Sequence, residues 1–174
     1  ATGHLQTGAD SVRHGNAHAT VVPYQLFDTA DGTLALACGN DKLFASLCCT
    51  VLDRPDLAED PRFIRNRDRV AHRDTLIPIL PDLFRTCATD DWLMQLKQAK
   101  VPAGRVRSVA DVFASDDVRG RGLVTEVADP VHGTIRLVRS PLRFSDTDVR
   151  LPTAPPRLGD QTEEVLSWLA SQSA

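Results

Sequence analysis

The hydrophobic period changes abruptly between Ala37 and Asp41, and that change restricts the fold more than any other feature of the chain. Before it, VVPYQLF (21–27) and TLALA (33–37) read as strands, with Pro23 marking the first as an edge strand. DTADG (28–32) between them is turn chemistry, because Asp side chains bond nearby backbone and Gly takes dihedrals closed to other residues. A hairpin over 21–37 with a loop longer than two residues is expected. After the change, Leu43, Phe44, Leu47, Val51 and Leu52 recur at helical spacing. Asn40 is placed as N-cap of that helix, its side-chain oxygen accepting from a backbone N–H two or three residues on. Asp41 favours the positive end of the helix dipole. Both periods in one short stretch mean a mixed α/β unit.

Further along, LAEDPRF (57–63) reads as an ordered turn and residues 66–84 return to helical spacing. Pro78 and Pro81 remove two backbone donors there and should kink or break the helix near Ile77. Thr89 opens a helix with Trp92, Leu93 and Leu96 inward, and VPAGRV (101–106) is an extended crossing. Ser108 with Asp111 forms a capping box for a short helix holding Val109, Val112 and Phe113. Strands are expected at 123–128 and 134–138 around a DPVHG turn. LPTAPPRL (151–158) carries three prolines and must be extended. A helix follows over 160–170, with Val165, Leu166 and Leu169 on one side. The Gly-, Asn-, His- and Thr-rich stretch 1–20 reads as loop. The organisation is thus a connecting loop at 1–20, a compact α/β unit at 21–120, and a trailing segment at 121–174. That last part has little core of its own and is of the kind that docks on another domain.

The residues alone exclude more chemistry than they assign. A net charge of −3 gives no electrostatic case for nucleic acid or an anionic membrane as partner. No apolar stretch approaches the roughly 18 residues that cross a bilayer. The opening ATGHLQTGADSVRHGN lacks the charged and apolar regions of a secretory signal. Ala1 is not a methionine, and the polar opening reads as a connection arriving from a longer chain. The four cysteines, Cys38, Cys48, Cys49 and Cys87, form no CxxC and read as free thiols of a reducing cytosol, which makes a cytoplasmic location the expectation.

There is no GxSxG, P-loop, GxGxxG after a strand, or HExxH. RGRG (119–122) follows a helix and reads as a helix stop rather than a phosphate loop, and Asp116 and Asp117 beside Arg119 and Arg121 read as a salt-bridged turn. Arg62, Arg65, Arg67 and Arg69 could receive phosphates, but a solvated helix start with Asp60 and Asp68 as local partners is the expectation. His14 and His18 stand four apart, yet Gly15 and Asn16 between them argue against helix, so a solvated loop rather than a metal pair is expected.

Several stretches taken together carry a resemblance. They are RHGNAH (13–18) with PYQLF (23–27) and DG (31–32), GNDKLF (39–44), and LAEDPRF (57–63) with Asn66 and Arg69. VPAGRV (101–106), SDDVRGRG (115–122), SPLRFSDT (140–147) and APPRLGDQTEEVL (154–166) follow. In this order and spacing the chain resembles the class III CoA-transferases, the CaiB/BaiF family, which includes formyl-CoA transferases and is related to α-methylacyl-CoA racemases. The resemblance implies an α/β fold: the small α/β domain plus the C-terminal return segment of a protein about twice as long, whose subunits interlock as linked rings in a homodimer. It implies acyl-CoA and a carboxylic acid as substrates, coenzyme A entering as a thioester substrate and not as a cofactor, and no metal.

In such enzymes an aspartate of the N-terminal half attacks the thioester, and the resulting anhydride passes through an enzyme–CoA thioester. That aspartate would lie upstream of Ala1, so no catalytic residue is assigned here and the isolated chain is expected to be inactive. His14, Gly15, Asn16 and His18 are the candidates for acyl-pocket contacts, near where some transferases carry a glycine-rich lid. Only Gly15 remains of that richness. The related racemases place an acid/base glutamate where Asn40 stands, and asparagine exchanges no proton at neutral pH, which favours transferase over racemase. A catalytically inert remnant or binding module is the non-enzymatic alternative. Arg105 and Asp148 stand where proline is common, and Pro78 and Pro81 interrupt a helix that relatives continue.

Overall fold

The computed structural model describes residues 2–8, 10 and 12–172, so Ala1, Ala9, Ser11, Ser173 and Ala174 of the loop and trailing segment lie outside it. The chain divides after Val106 into two compact units. The expected boundary near 120 therefore moves back. The reason is pairing: residues 103–105 hydrogen-bond into the first unit's sheet, whereas the short helices after Val106 pack on each other.

The first unit opens with helix α1 (Thr2–Thr7), where loop was expected. Its exposed turn is closed by Thr7 Oγ1 on Gly3 O and by Gly8, whose φ of 70° ends the helix. Strands β1 (Tyr24–Asp28) and β2 (Thr33–Ala37) form the expected hairpin, with Tyr24 opposite Ala37 and Asp28 opposite Thr33. β1 starts three residues later than the pattern indicates, because Val22 spends its N–H on Asn66 Oδ1 and its carbonyl on Arg69 Nε. β3 (Ala103–Arg105) adds antiparallel to β2, giving the order β1-β2-β3. Leu34 and Leu36 of the central strand point into the core, as period-two alternation requires.

Helix α2 (Asp41–Ser46) runs into a π-helical turn at Leu47–Val51, and together they bury Phe44, Leu47, Cys48 and Val51. α3 (Pro55–Glu59) takes the first part of the stretch expected to be a turn, because Pro55 sits in its first turn, where a missing donor costs nothing. The helix expected over 66–84 is α4 (Asn66–Ala71), α5 (Arg73–Leu76), a 3-10 turn at Ile77–Ile79 and α6 (Leu80–Phe84). Its sharpest departure is at His72, with φ −109° and ψ 27°, not at the prolines. Around Pro78 and Pro81 the backbone stays right-handed helical, so the missing donors tighten the helix without breaking it.

α7 (Thr89–Gln98) buries Trp92 and Leu96. Trp92 donates Nε1–H to Phe84 O at 2.7 Å and meets the Phe84 ring edge-on at 5.3 Å, while Phe84 also packs on Phe27.

The second unit holds α8 (Val109–Phe113), α9 (Asp116–Arg121), the hairpin β4 (Val124–Asp129) and β5 (Gly133–Val138), and α10 (Thr162–Gln172). Ser108 and Asp111 make the expected capping box. RGRG ends α9 as expected, with Gly122 left-handed at φ 57°. Asp116 and Asp117 open that helix under the Ser115 cap, and Asp116 pairs with Arg119. Val118 is buried, but Val138, Leu142, Phe144, Leu158, Val165, Leu166, Trp168 and Leu169 are all exposed.

Candidate functional site

β1 is an edge strand, and its outer side is met by the loop that carries the four candidate residues. Asn16 Oδ1 accepts the Leu26 N–H at 3.0 Å, and the His18 N–H donates to Tyr24 O at 2.8 Å. The loop thus satisfies backbone groups that the edge would otherwise present to water. His18 stacks on Tyr24 with ring centroids 5.2 Å apart and planes within 14°. Its Nδ1 accepts the Thr20 N–H at 3.1 Å. His14 closes a turn through the Ala17 N–H on its carbonyl, and Gly15 occupies φ 60° with open space where a Cβ would sit. Gly15 is therefore required by its backbone conformation and not by a close neighbour. All four candidates are exposed. The structure joins Asn16 and His18 to β1 and leaves His14 and Gly15 at the tip.

The following stretch is gripped by side chains of α4 and α5. Arg73 Nη2 donates to His18 O at 2.8 Å and Ala19 O at 2.9 Å. The Asn66 amide donates to Thr20 O at 2.8 Å and accepts from the Val22 N–H at 3.1 Å, imitating a strand partner. Arg69 Nε donates to Val22 O at 2.6 Å. The loop is thus hydrogen-bonded at alternate residues, 16, 18, 20 and 22.

Arg69 corrects the expectation of a solvated helix start. Arg62 and Arg67 do pair locally with Asp60 and Asp68, but Arg69 is completely buried. Its Nη1 donates to Phe63 O and Ile64 O, its Nη2 reaches Asp41 Oδ1 at 2.9 Å, and its guanidinium lies 4.4 Å from the Phe44 ring centroid. Asp41 also accepts the Asn66 N–H at 2.7 Å, so it caps α4 from across the fold. Asn40 Oδ1 accepts the Leu43 N–H at 2.9 Å and is the expected cap. Asn40 and Asp41 thus cap two helices, α2 and α4, and Asp41 also pairs with Arg69.

Electrostatics in this unit bear on two cysteines and one aspartate. Burial pushes the Cys38 and Cys48 thiols up to about 12, so both stay protonated and unreactive near neutral pH. The Thr89 backbone and hydroxyl donors hold the Asp31 carboxyl below its usual range, as a helix-capping acceptor and not as a base. Among the described residues no cluster of His, Cys, Asp and Glu could hold a metal ion, and no helix is long and apolar enough to cross a membrane.

Sequence reading did not place Arg73 or Tyr24 as the partners of His18. The available signal was the spacing Asn66, Arg69, Arg73, which lines polar side chains along one helical face where a core-facing stripe should be apolar.

The CoA-transferase family III model matches residues 1–162. Human succinyl-CoA:glutarate CoA-transferase is 35% identical over 157 residues, covering 90% of this chain and 36% of the human protein. The succinate–glutarate CoA-transferase of Agrobacterium fabrum is 35% identical over 166 residues, covering 95% of this chain and 41% of its own length. A CaiB/BaiF family protein from Brucella suis superposes with a TM-score of 0.71 at 36% identity, covering 97% of this chain and 43% of that one. The chain spans well under half the length of the curated relatives it matches. A family match over most of the chain, on a backbone shared with a CaiB/BaiF structure, makes this chain a member of CoA-transferase family III.

Proposed function

We propose that the chain is the C-terminal part of an acyl-CoA:carboxylate CoA-transferase, which moves coenzyme A between an acyl-CoA and a short dicarboxylic acid. The observation that carries this reading is the family match over residues 1–162, joined by relatives whose names pair succinate with glutarate. The nucleophilic carboxylate would be supplied by sequence preceding this chain, and coenzyme A would enter as substrate. The loop at 14–18 would form one wall of the acyl site, held against β1 so that the acid meets fixed groups. The first unit would be the small α/β domain, and the second would dock on the large domain of an interlocked homodimer. Its exposed apolar residues support that docking. Free thiols in the first unit fit a reducing, cytoplasmic setting.

The racemase reading loses support at Asn40, whose side-chain oxygen is committed to the Leu43 N–H and whose amide transfers no proton.

The test joins the chain to its natural upstream sequence and incubates the product with succinyl-CoA and glutarate, following glutaryl-CoA by mass spectrometry. Formation of glutaryl-CoA at enzymatic rates supports the proposal. Deuterium exchange at the α-carbon of a 2-methylacyl-CoA without CoA transfer would replace it with the racemase. A native polypeptide no larger than this chain's 19.0 kDa, inert towards every acid, would leave the binding-module alternative.

A further inference from the structure

We propose that His18 binds a substrate carboxylate through a fixed Nε2–H donor, and that Arg73 is the residue that positions it. The carboxylate as ligand class rests on the transferase reading above; the fixed donor rests on geometry. A backbone N–H can only donate, so the 3.1 Å contact from Thr20 N requires His18 Nδ1 to carry a lone pair. The proton of the neutral ring is then on Nε2. Among the described residues Nε2, across the ring from Nδ1, is the atom left to meet a ligand.

The ring lies flat on Tyr24, which favours this orientation. Its backbone is tied down as well. The His18 N–H is bonded to Tyr24 O, and its carbonyl and that of Ala19 share the two Nη2 hydrogens of Arg73. Asn66 holds the carbonyl of Thr20, the residue that fixes the tautomer. An exposed side chain whose ring plane, tautomer and main chain are each held by a contact has less freedom to lose when a ligand arrives, which is what a preorganised binding group requires. One N–H aimed outward suits a single carboxylate oxygen, and the Arg73 guanidinium at the backbone of the same residue favours an anion there. Arg73 acts through His18, not on the ligand.

The experiment uses the protein extended by its natural upstream sequence and labelled with ¹⁵N-histidine. The His18 resonances of the neutral ring should show an unprotonated Nδ1 and a protonated Nε2. Added glutarate should shift the Nε2–H signal, and glutaramide, which has the same length without charge, should not. His18→Phe keeps a ring to stack on Tyr24 but loses the donor, and should weaken glutarate binding about tenfold. Arg73→Ala should weaken it by a similar factor and blur the Nδ1/Nε2 distinction while leaving the thermal midpoint in place. Arg73→Lys, which can still donate to both carbonyls, should restore most of the affinity.

The proposal is overturned by a proton on Nδ1, by equal responses to glutarate and glutaramide, or by unchanged affinity in His18→Phe. Unchanged affinity in Arg73→Ala would overturn the positioning role. Binding without CoA transfer would sustain His18 and sink the transferase reading. Transfer with no response at His18 would do the reverse.

Discussion

A buried arginine is the residue on which the candidate site stands. Arg69 serves two backbone segments, at Val22 and at Phe63, and one carboxylate while stacking on Phe44. Removing it orphans the carbonyls of Val22 and Phe63 and leaves a void. Arg69→Ala should destabilise the first unit by about 3–5 kcal/mol in urea unfolding. Asp41→Asn should cost less, because that carboxylate is half exposed and water can take its place at the rim. Arg69→Lys should behave more like the alanine variant than a conservative change, since an ammonium cannot fill the planar fork. At the surface, Arg62 holds the Asp60 carboxyl down to about 2 from an ordinary 3.8. A carboxyl depressed on folding adds stability that is complete above its unfolded value and lost as pH falls through the folded one. Stability should therefore decline between about 3.8 and 2. Asp60→Asn should flatten that part of the acid-unfolding curve, because it already lacks at neutral pH the stability that the wild type loses only in acid.

Helix ends show what local sequence can and cannot say. Asn40 and Ser108 cap the helices that follow them and are read as caps from the sequence, and Ser115 caps α9 in the same way. α4 and α7 begin after Arg65 and Ala88, neither of which caps with a side chain. Their first N–H groups are met instead by Asp41 and Asp31, 25 and 58 residues away in sequence. No window of local pattern contains both partners. His72 likewise carries no helix-breaking signature, and its departure accompanies the turn that swings Arg73 onto the loop. Gly122 is the legible opposite. Its left-handed conformation ends α9, and a Cβ would meet only Arg139 at 3.8 Å. Gly122→Ala should therefore cost backbone strain alone, about 1–2 kcal/mol, measurable by urea unfolding of the second unit.

The two units differ in how far each buries its own apolar surface. The first owns the continuous core from Val22 to Val101, whereas in the second Leu166, Trp168 and Leu169 lie half exposed along α10 and Leu158 is fully exposed. A helix with that much apolar surface in water favours association. The chain by itself should show concentration-dependent self-association in sedimentation equilibrium, and Leu166→Glu with Leu169→Glu should reduce it. A monomer at every concentration would mean that this face needs no cover. A shift to a defined complex on adding the upstream segment would identify what covers it.

The sequence by itself determined the alternation of strand and helix, the hairpin and its position, the local caps, and the family. Each of those depends on near neighbours, or on an ordered series of motifs that survives without knowledge of contacts. Only the tertiary structure decided that Arg69 is buried, that Asp41 caps a distant helix, and that Asn16 and His18 are bound to the edge of β1. Those are meetings of side chains with backbone groups far along the chain. Solvent exclusion, charge pairing and hydrogen-bond satisfaction act on them only once the core has brought the segments together.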